Sequence, residues 1–100
     1  MAKKGEIRDG VRGAWVEFGT FTLDPASIND NAQGAEAVAI SGAKAGDLVF
    51  VSPEAFDTGL IPAGAKVTNT DEVTVYINNE SGGAVNGASK TWNYILVHLS

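Results

Sequence analysis

Residues 72–78 alternate apolar and polar side chains without a break: Val73, Val75 and Ile77 fall on one side, Thr74, Tyr76 and Asn78 on the other. A two-residue period is that of a β-strand with one buried and one wet face. Residues 91–99 alternate differently, with Trp92, Tyr94 and Leu96 on one face and Ile95, Val97 and Leu99 on the other. Both faces are apolar there, which predicts a central strand covered on both sides. Residues 48–51, Leu-Val-Phe-Val, have the same character and are expected to be the deepest strand, stopped at Ser52-Pro53 because proline cannot donate to a ladder.

The weaker patterns fill in the rest. Residues 15–23 mix aromatic and β-branched side chains and end at Asp24-Pro25, which predicts a first strand with a bulge at Gly19. Residues 26–33 have no period and read as a loop. In residues 36–41 Val38 and Ile40 share one face, with Ala37 and Ala39 on the other. Residues 42–47, with Gly42, Gly46 and Asp47, predict a turn. Residues 54–60 are too short for an independent helix and read as a loop whose Phe56 and Leu60 cover an open end of the core. A tight turn is expected at 61–64, a hairpin around Asn69, and a long Gly-rich connection over 79–90.

Six to eight short strands with no long helix predict an all-β fold, an antiparallel β-sandwich of Greek-key or jelly-roll type. One hundred residues suffice for one domain with a small core. The expected division is a basic N-terminal arm at 1–14 and a single β-sandwich domain at 15–100. No apolar run approaches a membrane span, and residues 1–10 lack the apolar stretch of a secretory signal, so a soluble, non-exported chain is expected. With no cysteine, stability has to come from packing or from subunit association.

The formal charge of −5 disfavours a nucleic-acid partner recognised through phosphate neutralisation, and with no apolar span no membrane partner is expected either. That charge is unevenly distributed. Residues 1–12 carry Lys3, Lys4, Arg8 and Arg12 against Glu6 and Asp9, a balance of +2 that leaves −7 for the remainder. Two readings stay open: a frayed, solvated terminus, or an arm that docks on a neighbouring subunit or an acidic partner.

Candidate chemistry is sparse. His98 is the one imidazole, at a strand end, and reads as structural; no nucleophile elbow or phosphate-binding loop occurs. A single histidine without cysteine is a poor start for a zinc site, and the oxygen-rich loops at 29–31 and 69–72 lack calcium-loop spacing. Asp71 and Glu72 are adjacent, so on a strand they point to opposite faces and cannot share a glycosidic bond. No catalytic residue, metal ligand or cofactor is therefore assigned. Trp15, Trp92, Tyr76 and Tyr94 could form a sugar-stacking platform, but strand aromatics more often serve a core or a subunit interface.

The stretch Gly42-Ala43-Lys44-Ala45-Gly46-Asp47-Leu48-Val49-Phe50-Val51-Ser52-Pro53, followed by Gly59-Leu60, Gly64-Ala65-Lys66-Val67, residues 71–79 and Ala84-Val85 before the Trp92 strand, resembles a recurring β-domain of tailed-bacteriophage structural proteins. The likeness covers about residues 36–99. It departs at Asn86-Gly87, where such domains often carry Asp-Pro, and leaves the first 35 residues outside. Domains of this kind serve as capsid decoration (cement) proteins and as head- or tail-fibre modules.

The resemblance implies a non-enzymatic virion component on the capsid exterior, made in the bacterial host cytoplasm. Its partners would be the major capsid protein and other copies of itself, as dimer or trimer. The free-standing length favours decoration over a fibre module that binds a glycan or receptor. Under that expectation Lys3, Lys4, Arg8 and Arg12 contact the shell and Trp15 anchors the arm to the body.

Overall fold

The computed structural model describes residues 3–6 and 15–98, and in them the chain is an all-β antiparallel sandwich. Its strands are β1 (Lys3–Glu6), β2 (Trp15–Leu23), β3 (Gln33–Ala39), β4 (Leu48–Pro53), β5 (Leu60–Asn69), β6 (Glu72–Asn79) and β7 (Lys90–His98). One sheet has the order β1-β2-β7-β4 and the other β3-β6-β5. Only β1-β2 and β5-β6 are consecutive neighbours; the remaining connections cross between sheets, as in Greek-key architectures.

Alternation decides what goes inside. Val73, Val75 and Ile77 of β6 and Trp92, Tyr94 and Leu96 of β7 project into the same core, joined by Val38, Val49, Val67 and Leu23. Leu96, Val73 and Val75 are fully buried, and each such side chain contributes about 1.5–3 kcal/mol relative to exposure. Phe21 stacks on Trp92 with ring centroids 6.0 Å apart.

Several expectations are corrected. The strand at 48–53 is not the deepest: β4 pairs only with β7 and lies at a sheet edge, with Leu48 and Phe50 exposed. β7 is central to its sheet but is not covered on both sides, since Ile95 is exposed on the outer face; Leu99 lies outside the described residues. The 61–64 turn is instead a bulge inside β5, where pairing shifts between Pro62 and Gly64 because proline has no N–H to contribute. Leu60 is buried as expected, whereas Phe56 is 70% exposed and covers little. The hairpin after Asn69 forms as anticipated, with Asp71 in the left-handed region at φ 62°.

Gly19 is not bulged either, as β2 and β7 stay in continuous register from Trp15↔His98 to Leu23↔Lys90. The glycine is there for space. A Cβ at Gly19 would lie 2.6 Å from the Tyr94 hydroxyl oxygen and 2.7 Å from two ring carbons. The Gly19→Ala variant is expected to lose about 1–3 kcal/mol in urea unfolding, because the ring must shift within a packed core; unchanged stability would show that the ring is free to move.

Candidate binding surface

The outer faces of the two sheets differ in chemistry. On the three-stranded sheet several outward positions form polar cross-strand contacts: Gln33 Nε2 donates to Asn78 Oδ1 at 2.9 Å, and Thr68 Oγ1 lies 3.0 Å from Thr74 Oγ1 and 3.1 Å from Glu72 Oε1, while Ile61, opposite Asn78, is the large apolar side chain exposed there. Tyr76 stands between Ala35 and Gly64 in the same layer.

On the four-stranded sheet the alternation that sends Trp92, Tyr94 and Leu96 inward sends Ile95 and Val97 outward. The register places Phe18 and Phe50 on either side of Ile95, and Val16 and Leu48 on either side of Val97. Directly opposed residues share a face, so these six side chains form two adjacent apolar rows across β2, β7 and β4. Phe18 is 45%, Leu48 48%, Phe50 59% and Ile95 39% exposed. The remaining outward positions of these strands are Thr20, Thr22, Ser52, Thr91 and Asn93. None of the three strands places a charged residue on this face, in a chain whose formal charge is −5.

Of the expected contact residues, Lys3, Lys4 and Trp15 fall at one margin of this surface. Lys3 and Lys4 belong to β1, an edge strand in which Lys3 pairs with Phe18 and Lys4 with Glu17. Residues 3–6 of the expected arm thus extend the sheet. Trp15 opens β2 opposite His98 and is 46% exposed. Arg8 and Arg12 lie outside the described residues.

The residues that make up the apolar rows were missed as a surface because the sequence reading placed β4 and β7 in the interior. The available signal was two-sided apolarity, which describes both a doubly covered strand and a strand with one face left open.

One polar cluster closes the end of the sandwich beside Trp15. His98 Nδ1 lies 2.8 Å from Asp47 Oδ2, and His98 Nε2 lies 3.3 Å from Glu17 Oε1. The Tyr94 hydroxyl donates to Glu17 Oε2 at 3.3 Å. The carboxylates flank the imidazole on opposite sides, so their oxygens do not converge on one point. Among the described residues no group of three or more His, Cys, Asp or Glu is arranged to hold a metal ion. The cluster instead ties β2, β7 and the turn before β4 together.

At the opposite end Pro25, Pro53, Phe56, Leu60 and Trp92 line a crevice of about 20 Å³, room for no more than a water molecule. Lys90 and Asp57 pair across its rim at 2.7 Å. Trp92, Tyr94 and Trp15 do not form one aromatic platform: the first two are buried in the core.

No protein-family model matches the chain, and no curated protein and no solved structure matches it.

Burial, and then the Glu17 carboxylate beside it, push the Tyr94 phenol above its ordinary value of 10.0. Between that value and the raised one the folded protein retains a proton that the unfolded chain has lost. Stability from this group is therefore complete below pH 10 and falls as pH rises through the raised value. Urea titrations from pH 9 to 11.5 should show a steeper alkaline loss for the native chain than for Tyr94→Phe; equal slopes would remove Tyr94 as the cause.

Proposed function

We propose that the chain is a non-enzymatic bacteriophage structural protein that binds the outside of an expanded capsid and stabilises it. The observation that supports this reading is an acidic β-body with a lysine-bearing strand, β1, at the edge of its larger sheet and, among the described residues, no buried side-chain polar group left unpaired. A scaffold of that kind offers a surface and little reactive chemistry. The resemblance of residues 36–99 to tailed-phage β-domains supplies the setting.

In this reading the major capsid protein is the partner, and Lys3, Lys4, Arg8 and Arg12 supply the attraction to acidic shell surface. The pairing of β1 with β2 fits the task, because it holds Lys3 and Lys4 at a fixed register beside the body. Trp15, half-exposed where β2 begins, anchors the segment to the sandwich. Single contacts of this kind are modest. Many associated copies on one lattice act together through effective concentration, so the shell gains stability without any one tight site.

A fibre module that binds a glycan draws less support. Trp92, one of its candidate stacking rings, is 4% exposed, and Tyr76 sits on the other sheet, flanked by Ala35 of β3 and Gly64 of β5 rather than by a second ring.

The test is cosedimentation with expanded empty capsids of the phage that encodes the chain. The useful variant substitutes Lys3, Lys4, Arg8 and Arg12 together by glutamine, since deleting residues 1–12 would also remove β1 and uncover the edge of β2. Saturable binding that weakens with salt and drops at least about tenfold in the substituted protein is expected. Absence of binding by the native protein would overturn the reading.

A further inference from the structure

We infer that the outer face of the four-stranded sheet is a homodimer interface, on which a second copy of the chain packs sheet to sheet about a two-fold axis running along β7. The two apolar rows have matching chemistry on either side of that strand. In one row Phe18 and Phe50 flank Ile95; in the other Val16 and Leu48 flank Val97. Rotation by 180° about an axis parallel to β7 brings β2 of one copy over β4 of the other. Phe18 then meets the second copy's Phe50, Val16 meets its Leu48, and Ile95 and Val97 meet their own equivalents. Aromatic lies on aromatic and aliphatic on aliphatic, the self-complementarity that an isologous contact requires.

Charge points to the same occupant. Two copies at −5 each repel unless they approach through a region without like charges. The outward positions of β2, β7 and β4 are such a region, bordered by Lys3 at the register position beside Phe18 on β1, while the opposite sheet carries Glu72 and Lys66 at outward positions.

The area is of the right order. Phe18, Leu48, Phe50 and Ile95 are each 39–59% exposed, and together they offer roughly 350 Å² of open apolar area per copy on the usual size of such side chains. Were the surrounding threonine, serine and asparagine positions covered as well, the contact would reach about 1,200 Å² in total, the lower end of specific interfaces. A dimer that dissociates on dilution is the result.

The pairing supplies the linked copies on which the shell-binding reading relies for avidity, and rests on that reading only there. Its test contains no capsid, so the two fail separately. Sedimentation velocity of the full chain from about 1 to 500 µM should show monomer passing to dimer. Phe18→Lys and Phe50→Asp, each verified as folded by circular dichroism, should each raise the dissociation constant tenfold or more. Mixed in equal amounts they should recover the dimer, because the introduced ammonium and carboxylate face each other across the axis.

Phe50→Ala should weaken association by at least tenfold, whereas Phe56→Ala, a more exposed phenylalanine outside this face, should leave it unchanged. These milder variants serve if a charged one fails to fold. A native chain that stays monomeric, a trimer, failure of the mixture to recover the dimer, or equal effects at Phe50 and Phe56 would each overturn the inference.

Discussion

The hydrogen-bonded position of β7 between β2 and β4 is the constraint on which the rest of the molecule depends. A strand has two faces, and this one is apolar on both. Filling the core with Trp92, Tyr94 and Leu96 obliges Ile95 and Val97 to point away from it. The register to β2 and β4 then spreads the outward apolarity across three strands. A one-residue slip would exchange core and surface, so the same pairing that makes the core also makes the open face.

Local pattern was enough where one face of a strand differed from the other. The alternation over residues 72–78 reads directly as β6, and the burial of Val73, Val75 and Ile77 follows from it. Where both faces are apolar, sequence leaves the outer layer undetermined, and Leu48 and Phe50 were consequently assigned to an interior strand. Edge position depends on which strands pair, a matter of distant contacts. Lys3–Glu6 is the opposite case: Lys-Lys-Gly-Glu has little strand propensity, and it becomes β1 through the free hydrogen-bonding edge of β2.

The polar end of the sandwich was illegible for a related reason. Glu17 and His98 are 81 residues apart, and His98 and Asp47 are 51 apart. No spacing rule connects them; the pairing of β2 with β7 and the turn before β4 bring them together. Asn79 shows the same economy. Its buried amide donates to the carbonyls of Ile28 and Gly83 and accepts from the Ser81 N–H, so a single side chain fastens the Gly-rich connection to the loop before β3. These contacts hold the loops to the core and leave the outer face of the four-stranded sheet as the broad apolar surface. The bulges and Pro62 in β5 also make that edge a poor template for adding a strand.

The central claim, that β7 turns one set of side chains into the core and the other onto an open apolar face, is tested most directly by hydroxyl-radical labelling of the dilute monomer with residue-level readout. Phe18, Phe50 and Ile95 should label readily while Trp92, Tyr94 and Leu96 stay protected. Labelling of Trp92 and Tyr94 with protection of Phe50 and Ile95 would mean that the strand faces the other way, and would contradict the account.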